Sequence, residues 1–228
     1  MSALAKAAHL RWKANGIRAS LGGVAVWGDR VQRVFDLAFA SVMLVLLGPL
    51  LLVIAIAIKI DSPGPIFHRQ RRFGRDNDSF VLIKFRSMNN DLGATRQALT
   101  DAEFADGVMF KIRADPRVTR IGRFLRSTAL DELPQLLNVI RGDMSLVGPR
   151  PPAHRDEVPR GDDPDAPRSA VRPGLVGIAQ VVQRSLDRYL TYEEAIKLEA
   201  EYARSRSLRS DLHLLFRSLW VVLSGRSR

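Results

Sequence analysis

Residues 127–138 read "STALDELPQLLN" and set two carboxylates, Asp131 and Glu132, side by side, with Pro134 following two residues later. Adjacent acids repel, and a proline inside a helix loses a hydrogen bond and clashes with the preceding turn. Proline is tolerated in the first turn, where backbone N–H groups have no intrahelical partner. The helix "ELPQLLNVI" is therefore expected to start close to Asp131, which would sit at or near its N-cap. There the positive end of the helix stabilises carboxylate and attracts phosphate. Two ionised acids at such a place also suit a hard divalent cation such as Mg²⁺, which takes one or two carboxylates plus substrate phosphates. An isolated acid pair ahead of a helix is more simply explained as a complement to the helix dipole.

This pair is not isolated. "DPRVTRIGRFLRST" supplies Arg117, Arg120, Arg123 and Arg126 upstream, spaced by three. Downstream, "GDMSLVGPRP" holds Arg150 between two prolines, a stiff segment presenting a guanidinium. A carboxylate pair flanked by arginines fits a site for Mg²⁺ and a diphosphate. An exposed amphipathic arginine face is the alternative.

The elements that must position these groups come from a chain of 228 residues, one domain with or without an appendage. At 46% hydrophobic residues it can bury a sizeable core, and 35 Lys+Arg against 24 Asp+Glu give a net charge of +11. That balance calls for an anionic partner: nucleic acid, phosphorylated ligands or an anionic membrane surface. The absence of cysteine excludes disulfides, thiolate catalysis and Cys-based zinc sites. The first thirty residues do not read as a secretory signal, because basic residues run from Lys6 to Arg33 and no early apolar stretch carries a cleavage site.

From Leu37 to Ile58 no residue is charged. As a helix this segment rises roughly 33 Å, enough to cross a bilayer core, and a soluble helix rarely stays apolar all round for so long. Gly48-Pro49 falls at its midpoint, where a kink is expected. Lys6, Arg11, Lys13, Arg18, Arg30 and Arg33 precede it; Lys59, Arg69, Arg71, Arg72, Arg75, Lys84 and Arg86 follow. Lys/Arg excess marks the cytoplasmic side, and here both flanks carry it. A helix broken at Gly48-Pro49, entering and leaving on the cytoplasmic face, satisfies both flanks; a spanning helix strands one of them.

The rest reads as mixed α+β, helix-dominated. "PIFHRQRRFGRDNDSFVLIKFRSM" forms two extended runs about "GRDND", a β-hairpin. Residues 89–110 look helical, and 151–167, rich in proline and charge, an exposed loop. Thr191 with Glu194 forms a capping box opening a helix to about Arg204. Near the C-terminus, Leu208, Leu212, Leu215, Leu219 and Val222 fall on one helical stripe. That stripe either packs on the core or lies in the headgroup layer with Trp220 as anchor.

"KFRSM", "DPRVTRIGRFLRSTALDELPQLLNVIRGDMSLVGPRP" and "VRPGLVGIAQV" closely resemble the bacterial sugar transferases, or monotopic phosphoglycosyl transferases, in order from about Arg30 to Gly225. The resemblance implies transfer of a sugar-1-phosphate from a UDP-sugar to undecaprenyl phosphate, giving undecaprenyl-diphospho-sugar and UMP. It implies Asp131 as nucleophile beside Glu132, with Mg²⁺ held at these two carboxylates. Arg126 and Lys84 would contact phosphate, and Arg150 would help bind the nucleotide-sugar. Two departures stand out: Gly48-Pro49 replaces the usual Ser-Pro, and "AQVVQRS" replaces the usual Asn-Gly-Arg-Asn continuation, leaving an atypical loop at 181–185 that keeps only Arg184.

The expected architecture is a monotopic membrane protein with a basic arm (1–30), a re-entrant helix (31–60) and a cytoplasmic catalytic domain (61–228) carrying a small hairpin and interfacial amphipathic helices. The expected location is the cytoplasmic face of the bacterial inner membrane, among its phospholipids; a homo-oligomer is left open. A basic nucleic-acid-binding protein explains the charge but not the uncharged segment, and no basic-aromatic interleaving is present. A scaffold that lost its chemistry does not explain the intact acid pair and arginines. The sequence names neither the sugar nor the pathway.

Overall fold

The computed structural model describes residues 28–89, 117–153, 166–186 and 190–223. The helix expected over 89–110, nearly all of the basic arm and most of the loop at 151–167 lie outside the described residues. In chain order the elements are helix α1 (Asp29–Asp61), strands β1 (Phe67–Phe73) and β2 (Ser79–Phe85), helix α2 (Arg120–Thr128), a 3-10 segment (Leu130–Gln135) and helix α3 (Leu136–Arg141). Strands β3 (Ser145–Val147) and β4 (Gly174–Val176) and helices α4 (Ile178–Leu186), α5 (Tyr192–Ser205) and α6 (Leu208–Leu223) complete the fold.

Helix α1 stays helical through Gly48 and Pro49, with Pro49 inside the run rather than ending it. The expected break is therefore not an interruption of the helix: proline removes one backbone donor, and the turns on either side keep theirs. The helix also begins two turns before the apolar segment, and those turns belong to the domain core. Gln32, Asp36 and Ala40 are buried there, whereas Ile54 and Ile58 are buried near the other end. The first stretch packs with Leu136, Val139, Leu146 and Val147, and the second with Phe85 and Leu125. Between the two, Val45, Leu46 and Leu50 are exposed, as are Val42, Leu52, Val53 and Ile56 around them. The helix is long and apolar enough to cross a membrane by length and composition.

Several of the flanking cations hold this helix in place. Arg33 donates to the carbonyls of Val139 (2.5 Å) and Ile140 (2.7 Å), supplying partners for the last turn of α3. Arg75, in the hairpin turn, pairs with Asp29 at 2.7 Å, and Arg206 binds the same carboxylate. Arg86 is buried and donates to the carbonyls of Ser62 (2.6 Å) and Pro63 (2.7 Å), closing the C-terminal end of α1. Arg33 and Arg86 thereby satisfy carbonyls at or just past a helix end, whereas Arg75 and Arg206 pair with a carboxylate in the first turn of α1.

The expected hairpin is present, with β1 and β2 antiparallel in the register Phe67↔Phe85 to Phe73↔Ser79. Asp76 and Asn77 take the left-handed conformation at the turn (φ 55° and 64°), which Asp and Asn tolerate. The capping box is also present: Thr191 accepts from the Glu194 N–H, and the Glu194 carboxylate accepts from the Thr191 N–H. The segment at 181–185, read from sequence as a loop, is instead part of α4. It has no glycine or proline to stop it, and Val181 and Val182 are buried in the core.

On α6 the buried face is Ser210, Asp211, Leu214 and Val221. The expected stripe is split between the two readings: Leu215 packs against the core and Leu212 is half-buried, whereas Leu208 and Leu219 are exposed, together with Phe216 and Trp220. Polar residues can take the inner face because Asp211 accepts from the Tyr202 hydroxyl (2.6 Å) and Gln32 (3.4 Å).

Candidate active site

Three pieces of backbone meet at the acid pair. Helix α2 starts at Thr119, whose hydroxyl accepts from the Gly122 N–H at 2.9 Å, and the Asp61 carboxylate at the end of α1 accepts from the Ile121 N–H at 3.1 Å. A Cβ on Gly122 would lie 2.1 Å from the Ser87 carbonyl, so only glycine lets this helix sit against the end of "KFRSM". Arg126 lies in the last turn of α2. Ala129 then takes the left-handed conformation (φ 58°) and turns the chain into the 3-10 segment that carries Asp131 and Glu132.

This corrects the expected capping geometry. The residue that ends α2 and opens the next segment is Ala129, which makes no side-chain cap; Asp131 follows it in the first turn of a 3-10 helix. The α-helix itself starts only at Leu136, beyond Pro134. The tighter i→i+3 bonding takes the proline ahead of α3, where its missing donor costs little.

Strand β2 brings Lys84 to the same place. Buried Asn138 on α3 fixes the two together: its side-chain oxygen accepts from the Ile83 N–H (3.0 Å), and its amide donates to the Val81 carbonyl (2.7 Å) and to Asp143 (3.0 Å). Burial pushes the Lys84 ammonium below the ordinary lysine range. The carboxylates of Asp131 and Glu132 hold it up, while Arg72 and Arg126 push it down further. Lys84, Asp131, Glu132 and Arg126 thus share one electrostatic neighbourhood, and Arg72 joins them. Asp131 is buried and Glu132 half-buried. Arg126 gives an N–H to the thioether of Met88 at 3.1 Å, a weak acceptor that an anion can replace.

Arg150 lies apart from this group, with its side chain exposed and its backbone tightly held. The Arg150 N–H donates to the Glu199 carboxylate (3.0 Å), and its carbonyl accepts from Arg168 (3.0 Å). Glu199 and Arg168 form a buried ion pair at 2.7 Å, in which desolvation pushes the Glu199 carboxyl upward and Arg168 pulls it back. Pro149 accepts from the Gly174 N–H at 2.9 Å, where a Cβ on Gly174 would meet Gly148 at 2.0 Å. The glycines of "GPRP" and "RPGL" therefore lie against each other, Gly148 just past the end of β3 and Gly174 at the start of β4. A cleft beside Arg150 is lined by Phe73, Gly74, Asn77 and Arg168.

The arrangement brings together four of the five side chains singled out from sequence and puts the fifth on a neighbouring rigid segment. Sequence reading missed Arg72, Asn138 and the Arg168–Glu199 pair. The alternation of "HRQRR" was the available signal for Arg72; nothing local marks a buried asparagine or a pairing across thirty residues.

The bacterial sugar transferase family model matches residues 27–225. The chain belongs to the bacterial sugar transferase family. Among its relatives in this family, a UDP-glucose:undecaprenyl-phosphate glucose-1-phosphate transferase of Caulobacter vibrioides is 40% identical over 200 residues, covering 86% of this chain and 71% of that protein. The exopolysaccharide production protein ExoY of Rhizobium meliloti is 37% identical over 209 residues, covering 90% of this chain and 91% of its own length. The galactosyl transferase CpsE of Streptococcus agalactiae is 37% identical over 194 residues, but this chain spans only 42% of it. Sugar transferases of this family thus include proteins little longer than this chain and others more than twice as long.

Proposed function

We propose that the protein transfers a sugar-1-phosphate from a UDP-sugar to undecaprenyl phosphate, releasing UMP, through a covalent phospho-sugar intermediate on Asp131. The observation that carries this reading is the convergence of Lys84 and Arg126 on the Asp131–Glu132 pair, whose Asp131 is buried. The relatives named for glucose-1-phosphate or galactosyl transfer support the general reaction. They differ in the sugar, so the sugar is left unassigned.

Direct attack of one phosphate monoester on a diphosphate joins two anions. A carboxylate nucleophile splits the reaction into two displacements at one phosphorus. In the first, an Asp131 oxygen bonds to the sugar-bearing phosphorus, the P–O bond to UMP breaks, and UMP leaves with the electron pair. In the second, an oxygen of undecaprenyl phosphate attacks that phosphorus and the Asp131 carboxylate is released. Lys84 and Arg126 hold the phosphoryl oxygens, and Arg150 holds the nucleotide side of the donor.

The donor set fits magnesium: two successive carboxylates beside cations suit an ion that completes its shell with phosphate and water. Among the described residues no group of three His, Asp or Glu gathers to hold a metal, so the remaining ligands would come from the diphosphate. Asp131 and Glu132 would hold the ion, and its charge would offset that of the phosphates.

Helix α1 packs on the same domain at both ends and exposes its apolar middle, which supports a re-entrant course with both ends on the cytoplasmic face of the inner membrane. The exposed Leu208, Phe216, Leu219 and Trp220 of α6 support a second, interfacial contact with phospholipid. The chain has no cysteine, so single cysteines at exposed Arg30 and Lys59 report topology cleanly. Both should resist a membrane-impermeant maleimide in intact cells; labelling of only one would mean that the helix spans. The reaction is tested by incubating enzyme, Mg²⁺ and UDP-sugar without lipid. UMP should appear up to one equivalent of enzyme, with phospho-sugar on the peptide holding Asp131. UMP released only when undecaprenyl phosphate is present, with no adduct, would favour a direct transfer.

A further inference from the structure

Strand β1 has an unusual inner face. His68, Gln70 and Arg72 pair with Lys84, Leu82 and Phe80 of β2 and are half-buried, while Arg69 and Arg71 point out to solvent. Opposed residues of an antiparallel pair share a face, so this polar row lies on the Lys84 side of the hairpin. Arg72 stands at its end. One N–H of its guanidinium donates to Gln70 at 2.8 Å, and another donates to the carbonyl of Pro151 at 3.1 Å, next to Arg150. Its charge also acts on Lys84, alongside Asp131, Glu132 and Arg126. The Phe73 N–H ties the same two segments together through the Pro152 carbonyl at 3.1 Å. Arg72 thus both touches the Arg150 segment and shares the field of the acid pair.

We propose that Arg72 is a positioning residue for the nucleotide half of the donor. It sets the Arg150 segment against the Lys84–Asp131 group so that one diphosphate bridges the two, and its charge lies beside the phosphate that departs with the nucleoside. This rests on the transferase reading above. Arg suits the task because its planar fork can hold Gln70 and Pro151 at once; the single ammonium of lysine cannot match both directions. The role is specific to one half of the reaction. When Asp131 attacks, negative charge develops on the leaving UMP, and a cation between the two segments stabilises it. When undecaprenyl phosphate attacks the phospho-sugar intermediate, UMP is gone and the leaving group is the Asp131 carboxylate.

The test separates the half-reactions. The first is timed as the UMP burst with UDP-sugar alone. The second is timed by desalting the labelled phospho-sugar enzyme, adding undecaprenyl phosphate and following transfer of label to lipid. Arg72→Ala should slow the burst by roughly ten- to a hundredfold and raise KM for the UDP-sugar. Its second half-reaction should stay within about threefold of wild type. Arg72→Lys should recover part of the loss. Arg72→Gln, which keeps a polar side chain without the charge, provides a second variant should the alanine form fold poorly, and it should slow the burst while sparing the second step. An unchanged burst in these variants overturns the proposal, as does equal slowing of both half-reactions. A wild-type enzyme that gives no burst overturns the covalent reading itself, a result distinct from either.

Discussion

Among the described residues, two clusters of acids and cations are built on different plans. At the foot of α1, each carboxylate has its partners within the fold. Asp29 binds Arg75 and Arg206, Asp36 accepts from the Ser145 hydroxyl (2.8 Å) and the Leu146 N–H (3.0 Å), and Asp211 accepts from Tyr202 and Gln32. At Asp131–Glu132, Lys84 faces the carboxylates through charge, and Arg126 spends an N–H on a thioether. Three cations, Lys84, Arg126 and Arg72, share the field of these two carboxylates. A cluster whose donors and acceptors match internally seats a helix; one with surplus cations is prepared for an anion.

Exchanging the damage between the two clusters should break this comparison if it is wrong. Asp131→Asn should lower turnover on the order of a thousandfold or more, with the unfolding temperature unchanged within about 2 °C. Asp36→Ala should do the reverse. It leaves a buried hydroxyl and a buried N–H without their acceptor, a loss of about 2–5 kcal/mol of stability, measurable by denaturant titration in detergent. An Asp131→Asn protein that unfolds, or an Asp36→Ala protein that is stable but inactive, would show that the clusters have been assigned the wrong way round.

A smaller effect sharpens the comparison within one helix. Arg126 lies in the last turn of α2 and acts on Lys84, whereas Arg123 of the same helix is exposed. Arg126→Ala should cost about 1.5–3 kcal/mol of transition-state stabilisation, a ten- to hundredfold loss in kcat/KM; Arg123→Ala should cost less than about twofold. Equal, small losses would reduce the arginine run to surface charge.

The smallest effect is a slope. Burial raises the Asp211 carboxyl from 3.8 to about 7, with nearby Asp36 adding to the rise and Tyr202 and Arg206 opposing it. Between those values the folded protein holds a proton that the unfolded chain has released. Stability therefore falls as pH rises through that window, by up to about 1.4 kcal/mol per unit. Asp211→Asn should flatten the dependence of unfolding temperature on pH between about 4 and 8. An unchanged slope would mean that this proton is not held at Asp211.

Periodicity and local chemistry by themselves determined a good part of this protein. The hairpin, the capping box at Thr191 and the long apolar helix follow from interactions between residues close in the chain, which act wherever the segment lies. The acid pair and Arg126 were legible for the same reason. Other features required contacts over long separations. Which face of α6 is buried was decided by Tyr202 and Gln32, whose hydrogen bonds let Asp211 turn inward while Leu208, Leu219 and Trp220 stay out. Hydrophobicity alone ranks those residues the other way. The start of the α-helix beyond Pro134 depended on Ala129 adopting a left-handed turn that no propensity favours. Arg86, Arg33 and Arg75 read as membrane-flanking charge, yet each is committed to holding α1 on the domain. Charge is visible in a sequence, but its partner is not. Only the tertiary structure, by burying a cation against a carbonyl or leaving it beside an acid pair, separates the arginines that hold the fold from those available to a substrate.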